Sequence, residues 1–260
     1  MKKRILTALS VLFSAIFVFS SVMLIIEITT EKNDIDDYNR LESLTAPTSS
    51  DASSSDVNSG SSSSGVDSEV SSMVQSPLRE LSELFELNKD FYGWITVEDT
   101  QISYPVMYAP NNVNKYLRKN FYGKKSNAGV PYIWEICSPE SDNLIIFGHH
   151  LKNGTMFSDV AKFVDADYFA SHRYITLQTE VGLTRYEIFA AARLEHDDIW
   201  YDFTDAADGA EFDSMISYIM NKAVNKTALL PQYGDSIITL STCTTPSSKT
   251  ARTVVIAVEI

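Results

Sequence analysis

The chain has 260 residues, a formal net charge of -13 and two cysteines. That length can bury a sizeable core without a metal or disulfide staple. The acidic balance argues against a nucleic-acid binder, which needs a basic stripe to neutralise phosphates.

Lys2, Lys3 and Arg4 precede an uncharged apolar run from Ile5 to Ile26. At about 1.5 Å per helical residue the run spans roughly 33 Å, close to the hydrocarbon thickness of a bilayer. A cleaved signal peptide begins in the same way. This run is longer than the usual signal core, and no small-x-small cleavage site follows it clearly. The expectation is therefore a retained transmembrane anchor over 5–28, with basic residues 1–4 cytoplasmic and the remainder outside, a single-pass type II arrangement.

Residues 29–76 read as a juxtamembrane segment and a linker. "EKNDIDDYNRLESLT" suits a short helix, whereas 46–76 are dominated by Ser, Asp and Gly and offer almost nothing to bury. A Ser/Gly coil of that length has an end-to-end distance of roughly 30 Å, so it would hold a domain near the membrane without fixing its orientation.

Order is expected to resume in one folded domain, 77–260. Ser76 and Pro77 suit an N-cap and first helical position, followed by Leu78, Leu81, Leu84 and Phe85 at helical spacing. Eight β-branched or aromatic runs come next: "GWITV", "ISYPVM", "VPYIWE", "NLIIFGHH", "YITLQT", "TRYEIFAAARLE", "SIITLSTC" and "RTVVIAVE". Separated by turn residues, they predict a mainly β fold, an eight-stranded closed or nearly closed barrel. Two helical stripes interrupt them, one from Met156 to Val164 and one from Phe212 to Ala223. The second lies in the long connection before the cysteine strand, and Asp208 with Glu211 resembles a capping box at its start.

Cys243 ends "SIITLSTC", and Cys137 lies in "EICSPES", which reads as an exposed loop. Outside the cytoplasm two cysteines ordinarily suggest a disulfide. A domain this large does not need one, which leaves Cys243 open to a nucleophilic role. With no CxxC and no HExxH, no metal site or cofactor is expected. His172 and His196 stand in polar surroundings, and His196 with Asp197 and Asp198 reads as a solvated loop.

His149 and His150 end an apolar strand. Neighbouring strand residues face opposite ways, so spacing alone does not say which would meet Cys243. Arg252 begins the last run nine positions after Cys243. If "TTPSSKTA" joins antiparallel neighbours, both side chains can face one cleft, where a permanent cation can hold an oxyanion.

"TLSTC" ending at Cys243, "FGHHLKNGTMF" at 147–157 and "ARTVVIAV" carrying Arg252 together resemble the sortases, membrane-anchored cysteine transpeptidases of Gram-positive cell surfaces. "NKDFYGWITVEDTQISYPVM" and "NKYLRKNFYGKKSNAG" are similar to class B members, so the likeness covers nearly all of 77–260. The resemblance implies a sortase-type β-barrel with an N-terminal helix and a helix in the long connection before the cysteine strand. It also implies Cys243 as nucleophile, His149 as acid and base, and Arg252 as oxyanion partner, with Ser241 and Thr242 touching the signal.

Where the family commonly has Asn after the histidine, this chain has His150. Trp134 and Glu135 stand where the family more often has a small acidic strand end. The implied partners are surface proteins bearing a C-terminal sorting signal and, as acceptor, a peptidoglycan-precursor or pilin amine. A signal cut after Thr would become a thioester, then an amide. A pilin-polymerising enzyme, a secreted thiol protease and a non-catalytic exported binding module are the competing readings.

Overall fold

The computed structural model describes residues 2–45, 78–112 and 114–260. The Ser-rich segment, with Ser76 and Pro77, lies outside the described residues. One helix, α1 (Lys2–Leu44), joins the apolar run to the expected juxtamembrane helix without a break. The short α2 (Ser82–Leu87) follows, starting later than the leucine spacing predicts. Residues 78–81 are not helical: Leu78 is exposed, and only Leu81 and Leu84 are buried.

Nine strands come next: β1 (Phe91–Val97), β2 (Ser103–Met107), β3 (Tyr132–Ile133), β4 (Asn143–Phe147), β5 (Tyr174–Thr179), β6 (Gly182–Glu195), β7 (Ala223–Lys226), β8 (Ile237–Cys243) and β9 (Ala251–Glu259). The sheet runs β5-β1-β2-β3-β4-β8-β9-β6, and β5 pairs with β6 to close it. These eight strands are the eight predicted runs. The ninth, β7, rides on β6 outside the ring. Its "AVNK" is too short to show a period of its own.

Most pairs are antiparallel, but β4 runs parallel to β8. Both are almost entirely buried, the pattern expected of a strand covered on two faces. The stripe after Met156 becomes a 3-10 helix, Phe157–Val164, whose Phe157, Val160 and Phe163 plug the barrel core, and α3 (Ala166–Ser171) follows. The predicted helix before the cysteine strand is α4 (Gly209–Lys222), burying Phe212, Ile216 and Ile219. Asp208 accepts the Glu211 N–H at 3.0 Å, while the Glu211 carboxylate accepts from Ala207 at 2.8 Å, one residue earlier than a capping box requires.

The end of α1 does not stand free of the barrel. Leu41 is 1% exposed in a cluster with Leu81, Leu84 and Trp94. The Tyr38 hydroxyl donates to the Gly129 carbonyl, Asn120 donates to Asp37 at 2.6 Å, and Arg79 donates to Thr45 at 2.9 Å. Tyr38 and Leu41 lie three residues apart, on one helix face. The last turns of α1 therefore pack on the barrel.

Candidate active site

The β8–β9 register sets Cys243 directly opposite Arg252, so the turn between them does bring the two to one edge of the barrel. The Thr244 N–H donates to the Ala251 carbonyl at 3.0 Å and continues the ladder past the cysteine. The Arg252 guanidinium donates to the carbonyls of Lys249 at 3.2 Å and Ala251 at 3.3 Å. Those bonds fold the cation over the strand start.

The imidazoles arrive on β4. Phe147 pairs with Ser241, and the Gly148 N–H donates to the Ser241 carbonyl at 3.0 Å. The strand ends at Phe147, so His149 leaves the sheet two residues past that pair. His149 Nε2 lies 2.8 Å from the Leu117 carbonyl, and a carbonyl only accepts, so Nε2 carries the proton and Nδ1 is the basic nitrogen. Burial lowers the His149 pKa from 6.5; the Leu117 bond opposes this, and the cations Arg118 and Arg252 add to it. This imidazole is neutral at neutral pH.

His150 takes a different place. Its Nδ1 donates to the carbonyl of Cys243 itself at 2.9 Å, and its backbone bridges Met156. Met156 sits at φ 59°, uncommon for a residue with a Cβ, and its N–H donates to the Tyr104 hydroxyl at 3.0 Å. The Cys243 thiol forms no hydrogen bond with either imidazole among the described residues. Such bonds often close only once substrate is bound.

Beside these groups, the partly exposed Tyr132, Trp134 and Phe147 pack over a buried Tyr201. Phe147 stacks on Tyr201 at 5.5 Å and meets Tyr132 at 5.9 Å and Trp134 at 5.2 Å. Burial pushes the Tyr132 phenol up to about 12, partly offset by the Arg252 charge, so it stays a neutral donor. Trp200 and Tyr201 come from the segment before α4. Asp198 pins that segment by accepting from Trp200 N–H at 3.0 Å, Tyr218 at 2.9 Å and Lys222 at 2.6 Å. Asp198 is thus turned inward, unlike the solvated loop expected around His196.

Ser241 is 0% exposed, with its hydroxyl 2.8 Å from that of Tyr201. Thr242 is 2% exposed and donates to the Gly148 carbonyl at 2.8 Å. Both hydroxyls are engaged inside the protein. Cys137 is free and 2% exposed, not the exposed loop residue expected. Burial raises its thiol to about 11, which leaves it protonated and inert. His172 stacks on Tyr168 at 3.8 Å, away from these groups. Sequence reasoning missed Leu117, Arg118 and Tyr201. The first acts through its backbone, which no side-chain pattern reports.

A family model described as "Sortase domain" matches residues 95–260. Sortase B of Listeria monocytogenes is 36% identical over 169 residues, 64% of this chain and 68% of that protein. Clostridium perfringens sortase B superposes with a TM-score of 0.64 at 28% identity, covering 70% of this chain and 100% of that one. A Staphylococcus aureus sortase B–substrate complex gives 0.63 at 26% identity, covering 68% and 83%. With a thiol, an arginine and an imidazole gathered at one barrel edge, the chain belongs to the sortase family of cysteine transpeptidases, and its relatives here are of class B.

Proposed function

We propose that this sortase is held in the cell membrane by residues 5–28, with residues 1–4 cytoplasmic and the barrel outside, and that it joins surface proteins to a cell-wall amine. The register pairing of Cys243 with Arg252 is the observation that carries the reading, and the Arg252 charge acting on the His149 imidazole supports it. The exposed apolar side chains of α1 from Leu12 to Ile26 support the anchor.

A client's C-terminal sorting signal lies along Tyr132 and Phe147, which the buried Tyr201 backs from below. As the Cys243 sulfur attacks the carbonyl after Thr, its proton passes to His149 Nδ1, and Arg252 turns from the loop carbonyls to the oxyanion. The imidazolium then protonates the leaving amine as the C–N bond breaks, and the client is a thioester. Next an acceptor amine forms the new C–N bond, the C–S bond breaks, and His149 relays the amine's proton to sulfur. Ser241 and Thr242 act one layer below, fixing Tyr201 and Gly148.

The full chain in detergent, incubated with fluorogenic sorting-signal peptides and an amine, should give cleavage and amine-ligated product. Cys243→Ala should give neither, and His149→Gln should lose roughly 10²–10⁴-fold in rate, more than His150→Gln. Equal products from the Cys243→Ala chain would refute the mechanism, and the reverse histidine ranking would move the acid–base role to His150.

A further inference from the structure

Two groups that this mechanism leaves unused, His150 and the carboxylates of α1 past its apolar run, meet at one place. Between α1 and the barrel the described residues leave a cavity of about 670 Å³. Its helix wall carries Glu27, Glu31 and Asp34, and its barrel wall carries His150, Arg118 and Lys152. Glu27 is the first charged residue after the apolar run, so with the proposed anchor in a bilayer the cavity lies at the outer membrane surface.

Cys243 does not itself line it, but two residues beside the nucleophile do. Pro246, three residues beyond Cys243, lines it, and His150 bonds the Cys243 carbonyl at 2.9 Å. The aromatics of the proposed signal groove, Tyr132 and Phe147, do not line it. Once the client's acyl chain fills that groove, a second substrate needs another approach to the thioester.

We infer that this cavity receives the acceptor: a primary amine, arriving as an ammonium on a peptide that also carries a carboxylate, at the membrane surface. The inference rests on the transpeptidase reading. The α1 carboxylates attract the ammonium, and the partly enclosed space strengthens that attraction relative to open water. Arg118 and Lys152, across the cavity, suit the peptide's carboxylate. The ammonium gives one proton to water. The amine then forms the C–N bond as the C–S bond breaks, and its second proton passes through His149 to the Cys243 sulfur.

The test uses the full chain in nanodiscs, a fluorogenic signal peptide that the wild type cleaves, and the dipeptide Ala-Lys or its C-terminal amide as acceptor. The readout is the ratio of ligated to hydrolysed product across acceptor concentration. Glu27 and Glu31 are exposed, and glutamine preserves their shape and helix propensity, so the double variant Glu27→Gln, Glu31→Gln should fold. At subsaturating acceptor its ratio should fall at least five-fold, with a higher KM for the amine. Lys152→Gln should erase a preference for Ala-Lys over its amide. A double-variant ratio within two-fold of wild type overturns the inference. Absence of Cys243-dependent cleavage by the wild type would instead refute the transpeptidase reading beneath it.

Discussion

At the scale of single residues, His149 shows why adjacency in sequence did not assign a role. Two imidazoles follow Gly148, and the structure gives each a different carbonyl, Leu117 for His149 and Cys243 for His150. Neither acceptor is a side chain, so no motif marks them. The charge beside His149 is testable. Arg118 disfavours the imidazolium, so Arg118→Ala should raise the His149 pKa. The acid limb of amine-dependent turnover, where the base must be neutral, should then move to higher pH. An unmoved limb in the pH–rate profile would exclude His149 as that base. The same burial couples to folding. The unfolded chain binds this proton more tightly, so the contribution is complete above about pH 6.5 and is lost as pH falls below it.

Among elements, the strands were the most legible part, because eight short β-branched or aromatic runs are each bounded by turn residues. What the pattern hid was anything short or irregular: β7, the late start of α2, and the 3-10 geometry after Met156. Gly148 connects strand to site. It has no need of a left-handed backbone; it needs space. A Cβ there would sit 2.4 Å from the ring of Phe157, which is fully buried. Gly148→Ala should therefore push the end of β4 away and cost about 1–3 kcal/mol by overpacking. The check is thermal unfolding together with turnover, since the displaced His149 should lower activity in molecules that remain folded. Unchanged melting and turnover would mean that Phe157 yields freely and that the close approach does not position the imidazole.

For the molecule as a whole, the apolar N-terminal helix and the barrel were legible as parts, but their joint was not. The stretch from Asp34 to Thr45 reads as polar, and its contacts are made with residues such as Gly129 and Asn120 that are remote in sequence. Leu41 is the apolar pin of this joint. Leu41→Ala should cost roughly 2–5 kcal/mol of local packing and increase hydrogen exchange in the last turns of α1 before the barrel core responds. Exchange equal to wild type would mean that the polar contacts alone hold the helix. The parallel pairing of β4 with β8 has a further consequence, in time rather than space. The hydrogen bond from His150 to the carbonyl of Cys243 spans 93 positions of sequence, and its partners meet only when strands from both halves of the barrel have found their register. Such distant pairings are slow to form, because a long loop must close before any contact compensates it. An unfolded chain therefore carries a thiol with no imidazole or guanidinium held beside it. Nucleophilic competence arrives with ring closure, so a newly made chain is chemically quiet until it is native.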